Sequence, residues 1–139
     1  MSHIARIELE IIDLEALKAA CQRLGLEFRC GQAEYSWYGE YMNDYPLPEG
    51  LSIQDLGKCD HAIHVPGATY EVGILKRKGK YLLLWDFWSE GGLQHVLGQN
   101  AGRLKQAYAI ERTRREALRK GYRIVESKTQ NGVRLVLTV

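Results

Sequence analysis

The densest set of candidate metal ligands is the short segment Cys59-Asp60-His61-Ala-Ile-His64. Cysteine and histidine suit zinc, which takes four such ligands in a tetrahedron. In an extended segment, however, Cys59 and His61 share one face while His64 lies on the other. No second Cys/His pair supplies the missing ligands. We therefore predict no metal or other cofactor, and we treat Cys59, His61 and His64 as weak metal candidates with a structural role.

His3 and Asp86 are candidate proton-transfer residues. His3 has the parity of the apolar residues in the first predicted strand, and Asp86 shares a side with Leu82 and Leu84. A histidine and an aspartate in apolar surroundings can form a pair with shifted pKa values. The alternative is a structural role in which hydrogen bonds satisfy both side chains.

Arg103 and Arg114 project within the apolar arc of the second predicted helix. An arginine there needs a carboxylate partner or must extend to solvent, because unpaired burial is costly. We predict that at least one of them contacts an inward acid, with Asp86 as the first candidate. A small enzyme with an inward polar site would require these residues to converge with His3 on one cleft.

The charge of the chain is unevenly distributed, although the net charge is only +2. Residues 1–70 carry a net −6 and residues 71–139 a net +8. Much of the excess lies in the second helix, whose predicted outer face carries Lys105, Arg112, Arg115 and Arg119. We call these four residues the basic face. It predicts an acidic protein partner or, alternatively, nucleic-acid binding that weakens steeply with salt. A further alternative is that the two oppositely charged parts are faces of one domain that attract each other.

Residues 33–57 form an aromatic-rich stretch without periodicity, in which Pro46-Leu-Pro48-Glu-Gly50 indicates turns. Such an insertion is a functional surface loop or a packed flap. Trp37 and Tyr38 are its candidate binding residues, since exposed aromatic rings can stack on the bases of a single strand. Packing of both rings under the flap is the alternative.

The elements that position these residues follow from hydrophobic periodicity. Alternation predicts a strand over residues 3–11, Asp13 caps a helix that ends at Gly25, and a strand follows near Leu26–Cys30. After the insertion, residues 62–87 indicate a hairpin, and a helix is predicted over 101–120. Asn131-Gly132 predicts a type I′ turn in a final hairpin. The order β-α-β-loop-β-β-α-β-β predicts an α+β, two-layer domain, with a mainly antiparallel sheet and two helices on one face.

The composition predicts a single domain over residues 1–139. The chain is 45% hydrophobic and 26% charged, which is typical of a soluble globular protein. It has no apolar run of the ~20 residues that a membrane span needs. An early charged segment without a signal core, together with three cysteines, indicates a cytoplasmic protein. No nucleophile elbow or phosphate-binding loop appears in the sequence, so an enzyme is the less favoured class.

Several sequence motifs resemble the family of hypothetical chloroplast open reading frame thirty-five, found in cyanobacteria, algal plastids and other bacteria. They are Met1-Ser-His3-Ile, Asp13-Leu-Glu-Ala-Leu17, Leu56-Gly-Lys-Cys-Asp-His-Ala-Ile63, Leu84-Trp-Asp-Phe-Trp88, Arg103-Leu-Lys-Gln-Ala-Tyr108 and Gly121-Tyr-Arg. The family has no assigned activity. The resemblance implies an accessory role beside an ATPase or a small redox partner. We therefore predict an accessory or adaptor domain that acts through protein contacts, with nucleic-acid binding and a small enzyme as alternatives.

Overall fold

The computed structural model describes residues 3–43 and 46–139. In chain order the described elements are β1 (Ile4–Ile11), α1 (Leu14–Leu24), β2 (Glu27–Cys30), β3 (His61–His64), β4 (Glu71–Arg77), β5 (Lys80–Asp86), α2 (Leu93–Leu97), α3 (Gly102–Arg119), β6 (Arg123–Thr129) and β7 (Gly132–Thr138). Short 3-10 turns lie at Ile53–Asp55, Ser89–Gly91 and Gln99–Ala101.

Five strands form an antiparallel sheet in the order β1-β5-β4-β3-β2. Strands β1 and β2 are therefore its two edges. The hairpin β6–β7 forms a separate two-stranded sheet. The predicted α+β class with a mainly antiparallel sheet is confirmed.

One face of the five-stranded sheet is covered by α1 and α3, which with α2 make up the helix layer. Asp13 caps α1 because its Oδ1 accepts a hydrogen bond of 3.1 Å from the Ala16 N–H. Gly25 ends α1 in the left-handed region, at φ 73°. Leu17 of α1 and Leu104 of α3 are fully buried in the main core. Burial of each such leucine stabilises the fold by about 1.5–3 kcal/mol.

The opposite face of the sheet is covered by the described part of residues 33–57, which we call the loop layer. Tyr35 is buried there on Ala62, Leu75 and Leu84. A Cβ atom on Gly73 would overlap the Tyr35 ring, so only glycine lets the loop approach strand β4 this closely. The sheet thus lies between two layers, whereas the sequence predicted one covering layer of helices.

Three local predictions differ from the structure. The region 62–87 holds three strands rather than two, because β3 pairs with both β2 and β4. Helix α2 was not predicted, since five residues are too few to show a period. The last hairpin turns at residues 130–131, and neither Asn131 nor Gly132 has the positive φ of the predicted type I′ turn.

In residues 3–43 and 46–139, no helix has both the length and the hydropathy needed to span a bilayer.

Candidate functional site

Asp86, at the end of β5, is a fully buried carboxylate that joins three segments of backbone. Its Oδ1 accepts hydrogen bonds from the N–H groups of His3 (3.0 Å) and Trp88 (3.2 Å). Its Oδ2 accepts one from the Tyr38 N–H at 3.2 Å. Asp86 therefore holds the start of β1 and the loop layer together. This is the structural role that the sequence left as the alternative.

Neither predicted arginine contacts Asp86. Arg103 donates from Nη1 to the Val96 carbonyl oxygen at 2.9 Å. Arg114 lies on Glu111 and Glu126, with nitrogen–oxygen distances of 3.9 and 3.6 Å. The prediction of an Asp86 partner was wrong because α3 packs on one face of the sheet and Asp86 points to the other.

The His3 ring stacks on Phe87, with 5.2 Å between ring centroids. Phe87 packs against the main core on the helix side, and its neighbour Asp86 alternates to the loop side. The His3 ring and the Asp86 carboxylate therefore lie on opposite faces of the sheet. The structure therefore does not bring the predicted inward residues together on one cleft; these are His3, Asp86, Arg103 and Arg114.

The weak metal candidates are engaged in separate contacts. The Cys59 thiol donates to the Gln32 carbonyl oxygen at 3.2 Å, and burial raises the pKa of Cys59 to about 11. His61 accepts from the Gly31 N–H through Nδ1 at 2.9 Å. His64 lies 3.8 Å from the Glu71 carboxylate. Among the described residues, no three His, Cys, Asp or Glu side chains are grouped so that they could hold a metal ion.

The basic face is partly neutralised by the protein's own acids. Arg115 donates from Nε to Asp13 Oδ2 at 2.9 Å, and Arg119 pairs with Glu116 at 3.1 Å. Burial alone would raise the pKa of Asp13, but the hydrogen bonds from Arg115 and from the Ala16 N–H, together with the positive charge of Arg115, hold this pKa below its usual value. The acceptor Tyr108 hydroxyl raises the pKa of the Arg112 guanidinium. Two of the four cations are thus paired, while nucleic-acid binding by this face stays a prediction.

The two aromatic candidates of the loop layer differ in their surroundings. Trp37 is half-buried against the second core, and a Cβ atom on Gly57 would lie 2.6 Å from its Nε1. Tyr38 is 38% exposed and meets the Trp88 ring edge to face, with centroids 5.5 Å apart. The packing predicted as the alternative therefore applies to Trp37, and Tyr38 keeps part of its ring in solvent.

Glu71, at the start of β4, is a second buried carboxylate and was missed by the sequence reasoning. Its Oε1 accepts from the Ser36 N–H and from Gln32 Nε2, each at 3.0 Å. Its Oε2 lies 3.3 Å from Arg29 Nη1. The alternation of side chains along β4 could have revealed it. Tyr70, Val72 and Ile74 face the main core, so Glu71 must face the other layer.

A cleft lies along the open edge of β1, on the helix side of the sheet. It encloses about 500 Å³. Trp85 and Phe87 contribute aromatic surface, and Lys105 contributes a cation that forms no ion pair with any described carboxylate. Three side-chain amides complete the polar part of the lining, from Gln94, Gln99 and Asn100. We call this the helix-side cleft.

A second cleft borders the same edge from the loop side. It encloses about 440 Å³ and includes residues 46–49, whose sequence is Pro-Leu-Pro-Glu. Both clefts share Ala5, Arg6 and Glu8 of β1. The edge strand thus separates two concave surfaces, one on each face of the sheet.

The backbone of β1 offers hydrogen-bonding groups between these clefts. The Phe87 N–H donates to the His3 carbonyl oxygen at 2.9 Å, and Ile4 is opposite Asp86 in the ladder. In an antiparallel ladder, alternate residues point their N–H and C=O toward the partner strand. Ile4 and Arg6 therefore point theirs away from β5, toward the open edge.

The wall of the helix-side cleft contains strained backbone. Asn100 and Ala101 are consecutive non-glycine residues in the left-handed region, at φ 55° and 57°. Such a conformation costs about 1–2 kcal/mol per residue. Strain of this kind persists where surrounding structure imposes it, and it clusters at binding sites. Asn100 lines the cleft, whereas Ala101 is buried in the main core behind it.

No protein-family model, no curated protein and no solved structure matches this chain.

Proposed function

We propose that this chain is an accessory domain that binds an extended segment of a partner protein along the open edge of β1. The observation that carries the proposal is the edge strand itself, which has outward backbone groups at Ile4 and Arg6 and a cleft on each face.

Strand addition uses both features. A peptide that pairs with an edge strand gains backbone hydrogen bonds, and its side chains alternate between the two faces of the sheet. Here successive side chains of the peptide would enter the helix-side cleft and the loop-side cleft in turn. Arg6 and Glu8 carry opposite charges beside the edge. They disfavour a peptide that places a like charge next to either of them.

The lining of the helix-side cleft suggests the chemistry of the partner. Trp85 and Phe87 favour an apolar or aromatic side chain, and Lys105 favours a carboxylate. We therefore infer that the bound segment carries an acidic residue next to an apolar or aromatic one. An acidic partner is also what the charge of the second half of the chain predicts.

The test is a peptide selection followed by a backbone-specific variant. A library of random linear peptides is displayed against the full chain, and the affinities of the selected peptides are measured by calorimetry. Arg6→Pro removes the outward N–H while sparing the ladder to β5, because proline is tolerated on the open side of an edge strand. Arg6→Ala is the matched control, since it removes the same side chain and keeps the N–H.

We expect Arg6→Pro to weaken binding at least about tenfold relative to Arg6→Ala, a loss of about 1.4 kcal/mol. We also expect Asn100→Gly to weaken binding while the fold is retained, because glycine accepts the left-handed backbone at this position. Equal affinities for the Pro and Ala variants, with both folded by circular dichroism, would overturn the proposal. A selection that returns no peptide binding this edge would do the same.

A further inference from the structure

The hairpin β6–β7 exposes apolar side chains away from the main core. Val125 is 60% exposed, and its cross-strand neighbour Val136 is 39% exposed. The opposite side of the hairpin contacts α3 and holds the half-buried Ile124 and Leu135, together with Leu137, which is 44% exposed. One face of this small sheet is therefore open and apolar at its centre.

The two outer edges of the hairpin differ in charge. Strand β6 carries Arg123, Glu126 and Lys128, and such charges prevent an edge strand from pairing with another chain. Strand β7 carries Arg134 alone among charged residues. Among the described residues, β7 has one strand neighbour, which is β6. Both edges of this two-stranded sheet are open among the described residues, and β7 is the less charged of the two.

We propose that a second copy of this chain pairs with this edge, so that β7 lies antiparallel to β7 of the partner about a two-fold axis at Val136. In this register Leu135 faces Leu137 of the other copy, and Arg134 faces Thr138. No like charges are opposed. The corresponding pairing of β6 about its centre would oppose Glu126 to itself, which is unfavourable.

The hydrogen-bonding pattern of β7 fits this register. Thr129 and Gly132 flank the two-residue turn, so they form a hydrogen-bonded pair. Hydrogen-bonded pairs recur at every second residue along the hairpin, so Val136 also directs its N–H and C=O toward Val125. Leu135 and Leu137 therefore direct theirs outward. Two copies of β7 related at Val136 would exchange hydrogen bonds through these two outward residues.

The resulting four-stranded sheet has a continuous apolar row. Val125 and Val136 of one copy would lie beside Val136 and Val125 of the other, in a line across the four strands. Their side chains are exposed in the single chain, and in the pair the two Val136 side chains would lie side by side across the axis. The two-fold arrangement brings the same edge of both copies together, which is typical of homodimers.

The experiment measures the mass of the full chain by analytical ultracentrifugation over a range of protein concentrations. Val136→Lys opposes two like charges on the proposed axis. Val125→Lys is the matched control, because it makes the same change on the same face, one strand farther from the axis. We expect a dimer for the unmodified chain and for Val125→Lys, and a dissociation constant raised at least about tenfold for Val136→Lys.

Mixing Val136→Lys with Val136→Glu tests the register directly. We expect a heterodimer that neither variant forms alone, because opposite charges then meet on the axis. A monomeric unmodified chain, equal effects of the two lysine variants, or no heterodimer from folded chains would each overturn the proposal. Arg6→Pro tests the separate peptide-binding proposal, and we expect that variant to stay dimeric.

Discussion

The two layers that cover the five-stranded sheet are held to it by different interactions. The helix layer satisfies its own backbone hydrogen bonds and docks through apolar side chains such as Leu17 and Leu104. The loop layer contributes only a small apolar cluster around Tyr35. Its backbone is instead bound by two buried carboxylates of the sheet, Asp86 and Glu71.

This difference follows from the hydrogen-bonding needs of an irregular segment. A buried backbone N–H without a partner costs about 1–3 kcal/mol, and a loop has no ladder to satisfy it. The carboxylates at the ends of β4 and β5 supply the missing acceptors. The sheet thus binds one layer by packing and the other by hydrogen bonds to the main chain.

The largest expected effect is that of Asp86→Ala, which leaves the N–H groups of His3, Tyr38 and Trp88 without their acceptor. We expect the free energy of unfolding to fall by about 3–5 kcal/mol in urea denaturation. Asp60→Ala is the control, because this exposed aspartate also accepts a backbone N–H, from Lys76 at 2.7 Å. Equal losses for the two variants would mean that burial of the carboxylate has no special role.

The close approach of the loop layer is tested by Gly73→Ala, whose new Cβ atom would overlap the Tyr35 ring. We expect a loss of about 1–3 kcal/mol in thermal unfolding, which is typical of overpacking. Tyr35→Leu in the same chain should reduce this loss, since the two sites are in contact. Gly102→Ala in α3 meets open space and should be neutral or stabilising. Strict additivity of the Gly73 and Tyr35 changes would contradict the contact.

The second anchor is tested by Glu71→Gln, which keeps an acceptor for Ser36 but removes the charge beside Arg29. We expect a loss of about 1–2 kcal/mol, together with faster proteolysis of the loop layer. Glu27→Gln removes the other carboxylate of Arg29, which is 59% exposed, and should change stability by less than about 0.5 kcal/mol. If Glu27→Gln lost more stability than Glu71→Gln, Glu71 would not be the anchor of the loop layer.

On the helix side, Asp13→Ala should cost about 1 kcal/mol through loss of the helix cap, and Asp13→Asn a few tenths. The pKa of Asp13 is lowered in the folded chain, from 3.8. The ionised Asp13 therefore contributes its full stabilisation of the fold above pH 3.8, and this stabilisation is lost as the pH falls through the lower pKa of the folded chain. Thermal unfolding against pH measures this, and the acid-induced loss should be smaller in Asp13→Asn. Identical pH profiles would exclude a contribution from this carboxylate.

The helix layer was predictable from sequence because its signals are local. The period of α1, its Asp13 cap and Gly25 lie within thirteen residues, and α3 began and ended within a residue of its predicted bounds. The loop layer was not predictable, because Ser36 and Glu71 are separated by 35 positions and share no period. Pairing of Arg115 with Asp13 across 102 positions was hidden for the same reason. The helix-side cleft depends on α2 and on the 3-10 turn after it, and both are too short to show a hydrophobic period.

The binding of Ser36 and Tyr38 through main-chain N–H groups has a consequence for engineering. Amide donors are common to every residue except proline, so exchange of these side chains leaves the main-chain bonds to Oδ2 of Asp86 and Oε1 of Glu71 in place. Only the additional bond of 3.1 Å that the Ser36 hydroxyl donates to Oε1 of Glu71 would be lost. The same scaffold should accept randomised side chains at exposed positions beside these anchors. A combinatorial library built there would vary the surface while the attachment to the sheet is inherited unchanged.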